Sequence, residues 1–127
     1  DHLPPFYKDF MAQTIYKPDI KIMREEAKAL LGRHDFASFQ SANSPRKSTT
    51  RTIRKLYIKK KGKFIEFDIE GDGFLYNMVR IIVGTLIDIG RGYIERGSMK
   101  KILAKRNRKS AGVTAPAKGL CLMRVKY

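Results

Sequence analysis

The chain has 127 residues, of which 43% are apolar, and this is enough for one domain with a single hydrophobic core. Lysine and arginine number 27 against 12 aspartate and glutamate residues, so the net charge is +15 and the pI is near 10.2. The one cysteine, Cys121, excludes an intrachain disulfide and a cysteine metal cluster, and no signal peptide opens the chain. These features predict a cytoplasmic protein.

The excess of positive charge favours a polyanionic partner, and nucleic acid is the commonest one. An anionic membrane surface is the alternative partner, although the apolar run at 74–87 contains Arg80 and is too short to span a bilayer. The chain begins at Asp1 rather than at methionine, which is typical of a fragment or a processed product.

Residues 1–18 hold three of the five prolines and show little periodicity, so we interpret them as a connector or an arm. Residues 19–127 are the predicted domain. This domain opens with a helix that Asp19 caps and that ends near Leu31, where Gly32 follows as a natural stop. The core face of the helix is predicted from apolar residues at helical spacing, which are Met23, Ala27, Leu30 and Leu31.

The segment after this helix contains a histidine beside an aspartate. His34 and Asp35 are residue types that acid–base catalysis uses, but such a pair more often caps or orders a loop, and we prefer that interpretation. Phe36 and Phe39 are expected to fix the same loop to the core.

Two strands, 52–59 and 64–70, are predicted to form a hairpin around a Lys/Gly turn. In the second strand apolar residues alternate with acidic ones, which are expected to pair with basic residues of the first strand. The acids are Glu66, Asp68 and Glu70, and the expected partners are Arg54, Lys55 or Lys59.

The stretch from Phe36 to Ile65 contains no acidic residue. Because the basic residues of the hairpin can pair with its own acids, the polar loop before the hairpin is the better contact for nucleic acid. We therefore predict RNA contacts at Arg46, Lys47 and Arg51.

The stretch 71–92 is predicted to contain a helix that is covered by other residues nearly all round. Arg80 is the only charged residue in the apolar part of this helix, and it shares one face with Tyr76 and Gly84. Burying a guanidinium without a partner costs several kcal/mol. Arg80 therefore either reaches solvent along its apolar stem or meets a carboxylate or phosphate in a cleft.

Ser98 is the predicted N-cap of a short helix with one apolar side. Its outer side is basic, and we predict further RNA contacts there, at Lys100, Lys101 and Lys105. A final strand is predicted at 120–127. The order of helix, two strands, helix, short helix and strand predicts an α+β fold, with an antiparallel sheet and helices packed on one face.

A complete active site is not visible in the residues alone. The turn at 71–73 is too short for a phosphate-binding loop, the two histidines lack metal-ligand spacing, and no nucleophilic serine or cysteine elbow occurs. On these grounds the preferred interpretation is an RNA-binding module without catalysis, and Arg80 has no assigned role.

Three motifs in order along the chain resemble the tRNA pseudouridine synthase A (TruA) family. Residues 74–84, Phe-Leu-Tyr-Asn-Met-Val-Arg-Ile-Ile-Val-Gly, are similar to its Phe-x-x-His-Met-Val-Arg-Asn-Ile-Val-Gly segment. Residues 30–39 resemble its Leu-x-Gly-x-x-Asp-Phe-x-x-Phe, and residues 114–120 resemble its Thr-Ala-x-Ala-x-Gly-Leu. The resemblance covers the C-terminal half of that family, with residues 1–18 similar to the connector between its two domains.

The resemblance implies an isomerase that converts uridine to pseudouridine in the anticodon arm of tRNA, without a metal or an organic cofactor. It implies that Arg80 forms an ion pair with a nucleophilic aspartate of the N-terminal half, and that Leu120 is apolar backing for the active site. The aspartate motif does not occur in this chain, so the chain is expected to be inactive alone. Asn77 and Ile81 stand where the family more usually has histidine and asparagine.

The implied partners are tRNA, the N-terminal half of the same protein, and a second copy of the enzyme, because the family is dimeric. Two other functions stay open. One is a free-standing RNA-binding module, and the other is a basic peripheral membrane protein.

Overall fold

A computed structural model of the chain describes residues 7–10, 18–41, 48–61, 64–74, 77–112 and 121–126. Its strands are β1 (Tyr7–Phe10), β2 (Gly32–Asp35), β3 (Thr50–Lys61), β4 (Phe64–Gly71) and β5 (Cys121–Lys126). Its helices are α1 (Ile20–Ala27), α2 (Met78–Gly90) and α3 (Ser98–Lys105), with 3-10 turns at Lys28–Leu30, Ala37–Phe39 and Arg108–Ser110. No helix among these residues has the length and apolarity that crossing a membrane requires.

The predicted cap of α1 is confirmed. The Asp19 carboxylate accepts hydrogen bonds from the backbone amides of Lys21 and Ile22, at 2.9 and 3.2 Å. The predicted core residues are buried with one exception, which is Leu31, whose side chain is 41% exposed. The prediction that Leu31 lies on the core face is wrong, because α1 ends at Ala27 and the 3-10 turn that follows gives way to extended backbone at Leu31.

The predicted hairpin is confirmed, with β3 and β4 antiparallel. A shift of register lies between Ile53 and Lys55, so that Arg54 has no partner residue opposite it on β4. The extra residue turns Ile53 and Ile58 toward the same side of the sheet, and both are buried. Of the predicted cross-strand ion pairs, Arg54 and Glu70 meet at 3.2 Å.

The α+β class, with helices packed against an antiparallel sheet, is confirmed for β2, β3 and β4. The full strand order is β1-β5-β4-β3-β2, and it contains one pair that the antiparallel prediction missed, because β4 and β5 are parallel. Parallel neighbours need a long crossover connection, and the segment that holds α2 and α3 supplies it. The sheet is therefore mixed.

Two short strands at the ends of the described sheet were not predicted. β1 lies inside the segment interpreted as a connector and pairs with β5, and β2 lies where a loop was expected and pairs with β3. Within that former loop Phe36 and Phe39 are fully buried, so their predicted role in fixing it to the core is confirmed.

The helices cover one side of the sheet, where their apolar residues and those of β3 and β4 form one buried cluster. On the opposite side of β3 the side chain of Tyr57 is 56% exposed. The core thus lies between one sheet face and the three helices, and α2 is the most deeply enclosed of them.

The prediction that Ser98 caps α3 is wrong, because Ser98 is the first helical residue and Gly97, at φ 92°, precedes it. The cap comes instead from α1. The two carboxylate oxygens of Glu26 accept from the backbone amides of Gly97 and Met99, each at 3.1 Å. The predicted core side of α3 is confirmed, since Met99, Ile102 and Leu103 are buried.

Candidate functional site

Arg80 lies in the first turn of α2. Of the thirteen residues of this helix, all except Arg80 are buried, including the polar Thr85 and Asp88. Arg80 itself is half-buried. The prediction of a helix covered nearly all round is confirmed. Arg80 is the one residue of α2 whose side chain is only half-buried.

The turn before α2 is held to the neighbouring loop by side chains. Asn77 has a left-handed backbone, at φ 59°, and its carbonyl accepts from the amide of Ile81 at 2.9 Å. Its side-chain amide donates to the hydroxyl of Ser41 at 3.0 Å instead of serving as the cap of α2. The predicted position of Tyr76 on the Arg80 face lies outside the described residues.

The electrostatics of this helix end favour an anion. The unpaired amides at a helix N-terminus give a positive potential, and acidic residues normally occupy the first turn. The first turn of α2 has no acidic residue and carries Arg80. A carboxylate or phosphate beside Arg80 would interact favourably with both the guanidinium and the helix end.

The end of the hairpin, which precedes α2 in the chain, is held by two hydrogen bonds between Thr52 and Asp72. The Asp72 carboxylate accepts from the amide of Thr52 at 2.9 Å, and the amide of Asp72 donates to the carbonyl of Thr52 at 3.1 Å. A Cβ atom at Gly71 would lie 2.5 Å from that same carbonyl oxygen, so the close approach requires glycine. The donated hydrogen bond from Thr52 lowers the pKa of Asp72 below its usual range, and the charge of Arg51 acts in the same direction.

Thr85, in the middle of α2, binds Gly112 through a hydrogen bond. Thr85 donates its hydroxyl hydrogen to the carbonyl of Ile81 at 2.7 Å and accepts from the amide of Gly112 at 2.9 Å. A Cβ at Gly112 would lie 2.9 Å from the backbone Cα of Thr85 and 2.8 Å from the Asp88 carboxylate, so this contact also depends on glycine. Gly112 is therefore fixed against the helix that carries Arg80.

The predicted RNA-binding residues fall into three groups. Arg51 is half-buried and donates to the carbonyls of Ser48 and Thr50, at 3.1 and 2.6 Å, so part of its guanidinium supports its own strand. The three lysines of α3 are exposed. Arg46, Lys47 and Leu120 lie outside the described residues.

A basic groove that the sequence did not predict lies between the end of α1, β2 and α3. Its volume is about 680 Å³, and of the predicted residues it includes only Lys100. It is lined by Lys28, Ala29, His34, Asp35, Lys100, Leu103, Ala104 and Arg106. These residues come from two distant parts of the sequence, 28–35 and 100–106, and no local pattern signals that they meet.

His34 and Asp35 have the structural role that we preferred for them. Asp35 accepts from the amide of Ala37 at 3.0 Å and from the hydroxyl of Thr49, which orders the loop after β2. His34 donates from Nε2 to the carbonyl of Leu31 at 2.7 Å. Among the described residues no group of three or more His, Cys, Asp or Glu side chains is placed to hold a metal ion.

The sequence of the chain matches a known family of proteins. A family model described as tRNA pseudouridine synthase matches residues 27–127, which include Arg80 and all of α2. The chain belongs to the tRNA pseudouridine synthase family. The resemblance noted from the three sequence motifs is thereby confirmed.

Three relatives named tRNA pseudouridine synthase A illustrate the extent of the match within this family. The protein of Acetivibrio thermocellus is 47% identical over 112 residues, covering 88% of this chain and 46% of its own length. The Moorella thermoacetica protein is 49% identical over 109 residues, covering 86% and 44%. The Clostridium kluyveri protein is 41% identical over 127 residues, covering 100% and 52%. The chain thus spans about half the length of the curated relatives it matches.

Proposed function

We propose that this chain is the C-terminal half of an enzyme that isomerises uridine to pseudouridine in the anticodon arm of tRNA. Arg80 is its contribution to the active site. The position of Arg80, at the single interruption of an otherwise buried helix and beside the positive end of that helix, supports this role. The names of the relatives support the reaction and the substrate class.

The partner of Arg80 in this proposal is a carboxylate from the N-terminal half of the protein. A guanidinium can bind both carboxylate oxygens at once, and its charge favours the ionised form. Arg80 thereby keeps the nucleophilic aspartate charged and oriented toward the ribose. Leu120 is proposed to supply apolar surface behind the same site.

The reaction needs no further reactant, because pseudouridine is an isomer of uridine. The bond between N1 of the base and C1′ of the ribose breaks, the base turns, and C5 bonds to C1′. C5 then loses its proton and N1 ends with one, so that the atoms balance. The target nucleotide must leave its stack to reach the site. The chain alone has no nucleophilic aspartate motif, so in this proposal it does not catalyse by itself.

The proposed partners follow from the same assignment. Phosphates of tRNA meet the basic surface, to which the loop with Arg46 and Lys47, Arg51 and the outer side of α3 contribute. The complete enzyme is proposed to be a cytoplasmic homodimer that holds tRNA across both subunits.

The competing function, a free-standing RNA-binding module, is favoured by the net charge of +15 alone. A start codon immediately before Asp1 in the gene would favour that module, and a Thr-Asp-x-Gly motif upstream would favour the synthase.

The decisive experiment replaces Arg80 in the complete protein by alanine and by lysine. We expect turnover of unmodified tRNA to fall by at least about a hundredfold in both variants, because a group that supports charge at the reacting centre is lost or loses its bidentate geometry. The tRNA affinity, measured separately, should stay within a few fold.

Arg96→Ala is the matched control. Arg96 is also an arginine, but its side chain is 64% exposed and its ion pair with Glu25 lies on the surface. Turnover in this control should equal that of the wild type. Wild-type turnover in Arg80→Ala would refute the assigned role.

A further inference from the structure

We infer that the groove between α1, β2 and α3 is a docking site for RNA backbone phosphates, separate from the Arg80 site. The inference rests on the proposed function, since it concerns how the same tRNA is held. The three cations at its rim are Lys28, Lys100 and Arg106, and all three are exposed.

The charge of the groove suits an anionic polymer. Asp35 is the one acid among its lining residues, and its carboxylate already accepts from Ala37 and Thr49 inside the protein. Its other oxygen lies 3.7 Å from Arg106, whose side chain remains 67% exposed. The acid therefore offsets only part of the charge, and the rim stays positive.

The groove also has an apolar part. Its lining includes Ala29, Leu103 and Ala104, whose small or apolar side chains leave space for an RNA backbone between the cations. Lys100, Leu103 and Ala104 occur at helical spacings of three and four residues, so they share one face of α3. Lys101 and Lys105 are not among the lining residues, so the groove distinguishes Lys100 from the other two lysines predicted to bind RNA.

Arg106 is held in an unusual backbone conformation. It is left-handed, at φ 51°, which is uncommon for a residue with a side chain. Buried Ser38 fixes this turn, because its hydroxyl donates to the carbonyl of Ile102 at 2.7 Å and accepts from the amide of Asn107 at 2.8 Å. The turn that presents Arg106 is therefore set before any ligand arrives.

One RNA molecule can reach both sites. Asp35 lines the groove and Ser41 is hydrogen-bonded to Asn77 at the start of α2. Six residues of extended chain span at most about 20 Å, so the groove lies within about that distance of the loop beside Arg80. The folded turn at Ala37–Phe39 shortens the separation further.

The test compares two triple variants of the complete enzyme by tRNA binding over a range of salt concentrations. Lys28→Gln, Lys100→Gln and Arg106→Gln together should weaken tRNA binding at least about tenfold and reduce the salt slope by about 2 to 3, while kcat at saturating tRNA stays within about twofold. The control triple, at the exposed Lys21, Lys59 and Lys60, removes the same charge and should change affinity by less than about threefold.

A finer comparison uses neighbouring residues of α3. Lys100→Gln should weaken binding more than Lys101→Gln, and equal losses would contradict a specific groove. Equal losses in the two triple variants would also overturn the inference, because charge would then act without regard to position. If the wild-type enzyme neither binds nor modifies tRNA, the proposed function itself is wrong. If the wild-type enzyme is active but the groove variant binds tRNA as well as the control variant does, only the inference about the groove is wrong.

Discussion

Asp72 shows how one exposed side chain can stabilise the approach to the Arg80 site. Its carboxylate and its backbone amide both bind Thr52, and this pair of contacts closes the end of the hairpin just before the turn into α2. The hydrogen bond from the Thr52 amide favours the ionised carboxylate and so keeps the pKa of Asp72 below the usual 3.8. The connection is therefore strongest when Asp72 is charged.

The pH dependence of stability follows from this shift. A carboxyl whose pKa is lower in the folded state contributes stability above its unfolded pKa and loses it as the pH falls through the folded value. We expect the difference in free energy of unfolding between the wild type and Asp72→Asn to shrink as the pH is lowered from roughly 5 to 2. Urea unfolding at several pH values measures it, and a constant difference would contradict the role.

Arg80 was the part of the site that the sequence could reveal, because a charge inside an apolar helix is a local anomaly. The basic groove could not be anticipated in this way. Lys28 and Arg106 each look like ordinary surface residues in the sequence, and they become neighbours only through the packing of α3 beside β2.

At the level of elements, the N-terminus of α3 depends on a residue that lies 71 positions away. Glu26 on α1 binds two backbone amides there, those of Gly97 and Met99, and so replaces the local cap that Ser98 was predicted to provide. The adjacent Glu25 makes a different contact, a surface ion pair with Arg96 at 2.8 Å. The two neighbouring acids thus allow a matched comparison.

Glu26→Ala should lower the free energy of unfolding by about 1–3 kcal/mol, because it leaves amides of α3 without a charged acceptor. Glu25→Ala should cost less than about 1 kcal/mol, because both members of its ion pair are more than half exposed. Urea denaturation of both variants measures the difference. Equal losses would show that the cap does not stabilise α3.

The elements that the sequence predicted are those with a clear apolar period. α1, the β3–β4 hairpin, α2 and α3 each have apolar residues repeating at helical or strand spacing, so their cores could be assigned. β1 and β2 have four residues each, which is too short for an alternation to appear. The parallel pairing of β4 with β5 depends on packing between distant segments, which a local pattern does not contain.

Across the whole molecule, the net charge of +15 favours an interface with many phosphate contacts, whose affinity for RNA falls as the salt concentration rises. Each neutralised phosphate releases counterions, so an interface with about six phosphate contacts loses about a thousandfold in affinity between 50 and 200 mM salt. We expect a loss of this order for tRNA and the complete enzyme. A loss below tenfold would contradict an interface dominated by phosphate contacts.

The loop before the hairpin is expected to contribute to this dependence. Arg46→Ala together with Lys47→Ala should weaken tRNA binding and reduce the salt slope by about 1 to 2. An unchanged slope would remove this loop from the interface.

The position of β5 has a consequence for how the protein is made. It is the last described strand along the chain, yet in the sheet it lies between β1 and β4. A nascent chain still attached to the ribosome can form the hairpin and its helices as soon as they emerge, but the one described strand that pairs with β1 is absent until residues 121–126 have been translated. Completion of the sheet is therefore a late event in biosynthesis, and premature termination before this strand would leave the first strand without its place in the fold.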